Sequence, residues 1–167
     1  MLCTWRTLLQ LRSGYILAHG LYFDAFEPGT IFKHSIRRTV TETDNILFST
    51  MTLNPQGLHS DFEAAAASEW GKPLVNSLFT LGLMIGISVH DTTFGTTIAN
   101  LGMNDVVFPA PLFHGDTVQV ETEVISKRAS NSKPDRGIVE FEHRAFNQND
   151  ILVAKCRRHA MMKKETA

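Results

Sequence analysis

The sequence predicts an α+β domain in which a curved antiparallel sheet wraps one buried helix. Two observations carry that expectation. Helix-period segments with start and stop signals occupy residues 41–89, and the hydrophobic period then falls from 3.6 to 2 across the second half. A third bounds it. At 167 residues the chain has the length of one domain, since a domain takes roughly 100–200 residues. A chain near that size hides about 68–70% of its unfolded surface without staples.

The elements follow in order. Residues 1–22 are expected to be an N-terminal extension, residues 23–163 the domain and residues 164–167 a tail. Met1 to Phe23 contain Arg6 and Arg12 but no acid, and Gln10, Arg12, Ser13 and Gly14 interrupt their apolar stretches. That is too broken for a spanning helix, which needs about 20 apolar residues, and it lacks a signal-peptide centre. Thr30–Ile36 reads as a short strand. Thr41 with Asp44 three residues on is a helix-start box, followed by a helix over Asn45–Met51. Ser60 with Glu63 is a second box, opening a helix through Ala64–Ala67 to Trp70 that Gly71 and Pro73 stop.

Asn76–Val89 is apolar on nearly every face and is expected to be a helix buried all round. Gly82 and Gly86 lie on one face of it. Each costs roughly 1 kcal/mol of propensity relative to Ala, so a close backbone approach is expected there. Strands are expected at Asn100–Phe108, around Val118–Val124, at Ile138–Phe146 and at Ile151–Met161, the last two joined by the turn Asn147–Asp150.

Composition excludes classes without naming a function. Hydrophobic residues at 43% and charged residues at 20% are those of an ordinary soluble domain. Sixteen Lys and Arg against seventeen Asp and Glu leave a net charge of −1, so neither a nucleic-acid footprint nor a membrane surface is expected. Cys3 and Cys156 form no disulfide framework and lack metal-ligand spacing, which points to a reduced, cytoplasmic setting. There is no Gly-x-Ser-x-Gly elbow, phosphate loop or dinucleotide fingerprint, which removes most serine hydrolases and nucleotide enzymes.

One dense polar cluster remains, Asn54-Pro55-Gln56-Gly57-Leu58-His59-Ser60-Asp61. His59 suits a general base, because imidazole titrates near neutral pH. Asn54 and Gln56 can orient a water or a carbonyl, since amides both donate and accept. The same residues also suit plain turn hydrogen bonds and packing. The Asn76-Ser77 helix start offers unpaired N–H groups with partial positive charge, fit for an oxyanion or for simple capping. Lys127–Pro134, with Arg128, Ser132 and Lys133, reads as a basic interstrand loop that suits phosphates or plain solvent. His19, His34, His90, His114, His143 and His159 show no metal pattern and read as surface or satisfied core residues.

Three motifs in order resemble the MaoC-like hydratase family: Asn54–Asp61, Gly71–Ser77 and Pro111–Thr117, with Ser132–Val139 fitting its penultimate-strand motif. The resemblance runs from about Phe23 to Met162 and implies a hot-dog fold. The usual hydratase motif reads Asp-x-Asn-Pro-x-His. Aligned without gaps, His59 falls on the catalytic histidine and Asn54 on the catalytic aspartate, with Gln56 for the usual Asn and Gly57 for the usual Pro. Ser77 stands where a glycine N–H usually polarises the thioester, and a backbone donor survives that change. The variant Asn-x-Gln-x-Leu-His is similar to the mesaconyl- and itaconyl-CoA hydratase branch.

The resemblance thus implies a hydro-lyase adding water to a 2-enoyl-CoA of short dicarboxylic or branched acyl type. Asn54, His59 and Ser77 are then catalytic, and Gln56, Asn76, Arg128, Ser132 and Lys133 contact substrate. Arg37, Arg38 or Arg128 would meet a distal carboxylate. CoA enters as the substrate carrier, no metal or other cofactor is implied, and the chain is expected to form a homodimer or higher homo-oligomer. An amide in place of the aspartate leaves two rivals open, an acyl-CoA thioesterase and a non-catalytic acyl-CoA-binding subunit.

Overall fold

The computed structural model describes residues 19–165. The expected extension at residues 1–22 therefore lies mostly outside the described residues. A 3-10 turn at Phe23–Ala25 leads into β1 (Ile31–Lys33) and β2 (Arg38–Thr39). Helices α1 (Glu42–Met51), α2 (Gly57–Ser60), α3 (Phe62–Ala66) and α4 (Ser77–Thr92) follow. Four long strands complete the fold: β3 (Thr97–Val107), β4 (Thr117–Ala129), β5 (Arg136–Phe146) and β6 (Leu152–Lys163). The sheet runs β1-β4-β5-β6-β3, with β2 also on β4, and every pairing is antiparallel.

Local chemistry sets these bounds. Thr41 and Asp44 form the reciprocal cap of α1: Thr41 Oγ1 accepts the Asp44 N–H, and Asp44 Oδ2 accepts the Thr41 N–H. Arg38 locks that cap with two 2.8 Å bonds to the Asp44 carboxylate. The second cap differs from expectation. Asp61, not Ser60, caps α3 by accepting from Glu63 N and Ala64 N, because Ser60 is already the last residue of α2. Helix α3 also ends at Ala66, four residues short of Trp70, where Ser68 and Gly71 fold into turns. Lys127, Arg128 and Ala129 belong to β4, so the β4–β5 connection is Ser130–Asp135 rather than the basic loop expected. The Asn147–Asp150 turn is as expected, with Asn147 Oδ1 accepting from Asn149 and Ile151.

Helix α4 is not buried all round. Thr80, Met84, Ile87, Ser88 and Thr92 face the sheet, while Leu78 is 59% exposed and Gly82 and Gly86 meet open space. No backbone within the described residues approaches those glycines. One sheet covers one face of a helix, and among the described residues nothing covers the second apolar face. Strand β3 is likewise exposed along nearly all its length.

The inner face of the sheet carries two apolar clusters. One gathers Val118, Val120, Ala145 and Cys156 under Met84 and Ile87; the other gathers Val124, Phe141, Ala160 and Met162 around Phe26. Between them runs a buried polar row of three inward residues on adjacent strands, Thr122, His143 and Arg158. Among the described residues no helix is long and apolar enough to cross a membrane.

Candidate active site

The polar loop between α1 and α3 is held by one buried side chain. Asn45, fully buried on α1, donates through Nδ2 to His59 O (3.0 Å) and Leu74 O (2.9 Å) and lies 2.9 Å from His114 Nε2. Its Oδ1 accepts the Asn76 N–H at 2.8 Å. Two amide hydrogens face three acceptors, so one of them is shared. The His114 ring nitrogen accepts in this arrangement, and burial pushes its pKa down, against a weak upward pull from Glu42. His114 therefore stays neutral and compatible with its donor.

His59 is fixed in orientation by the same segment. Its Nδ1 lies 2.9 Å from Leu74 O. A carbonyl oxygen only accepts, so Nδ1 carries the hydrogen and Nε2 presents a lone pair. That is the tautomer a general base needs. Asn54 sits behind Leu53, whose φ of +55° places a bulky side chain in the left-handed region; such strain clusters at functional loops. Asn54 Oδ1 accepts the Gln56 N–H at 3.0 Å, while Asn54 Nδ2 has no acceptor among the described residues. The amide is left able to donate to a water oxygen, and its acceptor is already engaged in the turn.

Asn76 caps α4 by accepting from Leu78 N at 3.0 Å and is buried. It acts on the helix rather than facing a cleft. Ser77 N–H, next to it, has no acceptor among the described residues. It points from the positive end of a sixteen-residue helix. Ser77 lines a cleft of about 220 Å³ with Trp70, Leu74, Phe108, Pro111 and Val153. Ser77, with its unpaired N–H, thus lines an apolar cleft, and His59 and Asn54 lie on the loop that Asn45 ties to it rather than among its lining residues.

Asn45 and Leu74 tie His59 to Asn76 and the adjoining Ser77, whereas Gln56 and Asn54 join them along the loop, Gln56 O accepting the His59 N–H and Asn54 Oδ1 the Gln56 N–H. The structure does not bring Arg128, Ser132 or Lys133 to them within the chain. Strand β4 begins at Thr117, beside the His114 loop, and Arg128 lies eleven residues further on, about 36 Å of extended strand. Arg38 is occupied by Asp44. Asn45 and His114 were not singled out as site residues. For His114 the signal was present, since it lies inside the Pro111–Thr117 motif.

A curved antiparallel sheet around one central helix, with the site at that helix's N-terminal end, defines a hot-dog fold. The chain belongs to the MaoC like domain family, whose model matches residues 24–145. Among curated relatives it is 29% identical over 145 residues to the mesaconyl-CoA hydratase of Cereibacter sphaeroides, covering 87% of this chain and 42% of that protein. The chain thus spans about two fifths of that relative's length. Among solved structures it superposes on the monoamine oxidase regulatory protein of Archaeoglobus fulgius with a TM-score of 0.80 and 29% identity, covering 91% of this chain and 100% of that one. A Mycobacterium tuberculosis protein with a double hot-dog fold matches with a TM-score of 0.79 and 26% identity, over 87% of this chain and 45% of that one.

Proposed function

We propose that this chain is a hydro-lyase that adds water reversibly to a 2-enoyl-CoA, the acyl group being short and dicarboxylic or branched. The observation that carries the reading is the His59 ring, locked by the carbonyl of Leu74, a residue that lines the cleft with Ser77, and with its Nε2 left without a partner among the described residues. His59 Nε2 takes a proton from water as the water oxygen bonds to C3 of the enoyl group. The electron pair moves through C2 to the thioester oxygen, where Ser77 N–H stabilises the developing charge. His59 then returns the proton to C2, so one water is added in all. Asn54 Nδ2 holds the water, a positioning role that needs no carboxylate. CoA is the carrier and no metal takes part. The likeness to a protein named mesaconyl-CoA hydratase supports the acyl class.

A second copy of the chain completes this reading. Among the described residues strand β3 has an unpaired edge, with exposed Ile98, Leu101 and Met103, and the uncovered face of α4 carries Leu78. Unpaired apolar edges are templates for another chain. Light scattering at micromolar concentration should give a dimer or larger assembly, and a monomer refutes it.

The activity is tested by mass spectrometry on mesaconyl-, itaconyl-, crotonyl- and a longer enoyl-CoA, with His59→Ala alongside. A product heavier by one water, lost in the variant, is expected. Release of free CoA would instead make the chain a thioesterase. Binding without product would make it a non-catalytic acyl-CoA subunit, as the amide at Asn54 permits.

A further inference from the structure

The polar row between the two apolar clusters ends in an unfilled grip. Arg158 is 5% exposed, and its Nε and Nη2 have no hydrogen-bond partner. These two nitrogens form the side-on fork of the guanidinium, the edge that receives both oxygens of a carboxylate or oxoanion. No carboxylate among the described residues pairs with Arg158. Among the described residues its guanidinium stacks over the neutral Phe141 ring, 5.5 Å away. A guanidinium does not deprotonate in a protein, so burial leaves it a cation without a counter-charge.

His143 is its diagonal neighbour on the inner face, since Phe141 stands opposite Arg158 and Cys156 opposite His143. His143 is fully buried and its Nε2 is also without a partner. Its other nitrogen belongs to a chain that crosses the core. His143 Nδ1 lies 2.8 Å from Thr122 Oγ1, Thr122 Oγ1 lies 2.8 Å from His34 Nε2, and His34 Nδ1 lies 2.9 Å from Asp91 Oδ2. The Thr122 hydroxyl has one hydrogen, so the chain has two polarities. With His34 neutral, Nδ1–H donates to Asp91, Thr122 donates to His34, and His143 donates to Thr122, leaving Nε2 a lone pair. With one more proton on the His34–Asp91 pair, His34 donates to Thr122 and Thr122 donates to His143 Nδ1. His143, still neutral, then carries its hydrogen on Nε2.

We propose that Arg158 and His143 form an internal site for one small oxoanion or carboxylate, held by Arg158 Nε–H and Nη2–H and by His143 Nε2–H. The site is separate from the cleft at Ser77. It is joined to Asp91, fourteen residues along α4 from Ser77, a rise of about 21 Å. Burial and Arg158 keep His143 from becoming an imidazolium, so its third N–H arises by reversal of the chain rather than by ionisation. The groups facing the chain are Asp91 and, on its other oxygen, His90 from α4, Thr122 from β4, and Cys156 and Arg158 from β6. Asp91 is held below its ordinary pKa: burial alone would raise it, but the bonds from His34 and His90 outweigh that. Anion binding draws in one proton and weakens as pH rises.

The test melts the full chain at fixed ionic strength, replacing bulky sodium gluconate with sodium formate or sodium nitrate. At a hundredfold excess over Kd, a bound anion raises Tm by about 5–10 °C. The shift should be larger at pH 6 than at pH 8. It should vanish in Arg158→Lys, which keeps the charge but loses the fork, while Thr122→Val should remove its pH dependence. Formate alone acting assigns a carboxylate, and both acting assign an oxoanion. Because the variants can fail to fold, wild-type protein is also titrated with 13C-formate by NMR, where saturable binding is expected. No shift with either anion at pH 6, an equal shift in Arg158→Lys, or a shift equal at both pH values overturns the site.

Discussion

Replacing Asn45 by Ala removes the one side chain that ties α1, the His59 loop and the start of α4 together. The loss can be worked bond by bond. Asn76 N–H, on a residue only 3% exposed, loses its 2.8 Å acceptor. A buried donor left unsatisfied costs about 1–3 kcal/mol. Leu74 O loses Asn45 but keeps His59 Nδ1, and His59 O sits on a half-buried residue that water reaches. These two, with the half-buried His114 Nε2 that also loses its donor, add about 1 kcal/mol together. The expected destabilisation is therefore about 2–4 kcal/mol, read by urea unfolding as a lower midpoint at unchanged slope. Turnover should fall more than KM rises, because Leu74 O loosens and the His59 ring with it, while the cleft walls other than Leu74 remain. Asn45→Asp keeps the acceptor for Asn76 N–H but turns a carboxylate towards two carbonyls, so it should be at least as damaging near neutral pH. A loss below about 1 kcal/mol for Asn45→Ala, the net worth of one ordinary hydrogen bond, would refute the assignment of Asn45 as the fastening residue.

Other outcomes follow from the same geometry. His59→Ala should reduce hydration by about 10²–10⁴-fold with the fold intact, measured as initial rates. Gly137→Ala should lower Tm, since a Cβ there overlaps the buried Phe23 ring and overpacking costs about 1–3 kcal/mol. The bonds from Arg38, opposed by partial burial and aided by Thr41, hold Asp44 well below the usual carboxylate range. A depressed folded pKa gives stability that is complete above about pH 4 and is lost as pH falls below it. Arg38→Ala should therefore flatten the acid limb of a stability–pH curve, and an unchanged limb would refute the pairing.

The strands were legible because their signal is local. The inward residues Val118, Val120, Thr122 and Val124 alternate with polar ones whatever else the chain does, and so does the Thr41–Asp44 box. Ser60 and Asp61 are both good caps, and only the preceding turn of α2 decides between them. The exposed second face of α4 was illegible for a different reason: apolarity shows that a face wants cover, not whether its own chain supplies it. His59 stood out as a loop imidazole, yet its tautomer depends on Leu74 O, fifteen residues away. Asn45 bonds to partners 14, 29, 31 and 69 residues distant, and no local pattern encodes that convergence. The Thr122–His143–Arg158 row reads in sequence as single polar residues in three separate strands, aligned only by register.

The strand order β1-β4-β5-β6-β3 has a consequence for how the molecule is made. During N-to-C synthesis β3 emerges before β4 and β5, yet its hydrogen-bonding neighbour β6 is made only after both. Until β6 appears, the eleven-residue β3 has no strand partner in the sheet, the kind of unpaired edge that aggregates or recruits chaperones. Val153, at the start of β6, is also a wall of the cleft beside Ser77. The loop that carries His59 can thus be translated and capped well before the cleft beside Ser77 exists, and a ribosome that stops short of β6 releases a chain in which that cleft lacks a wall.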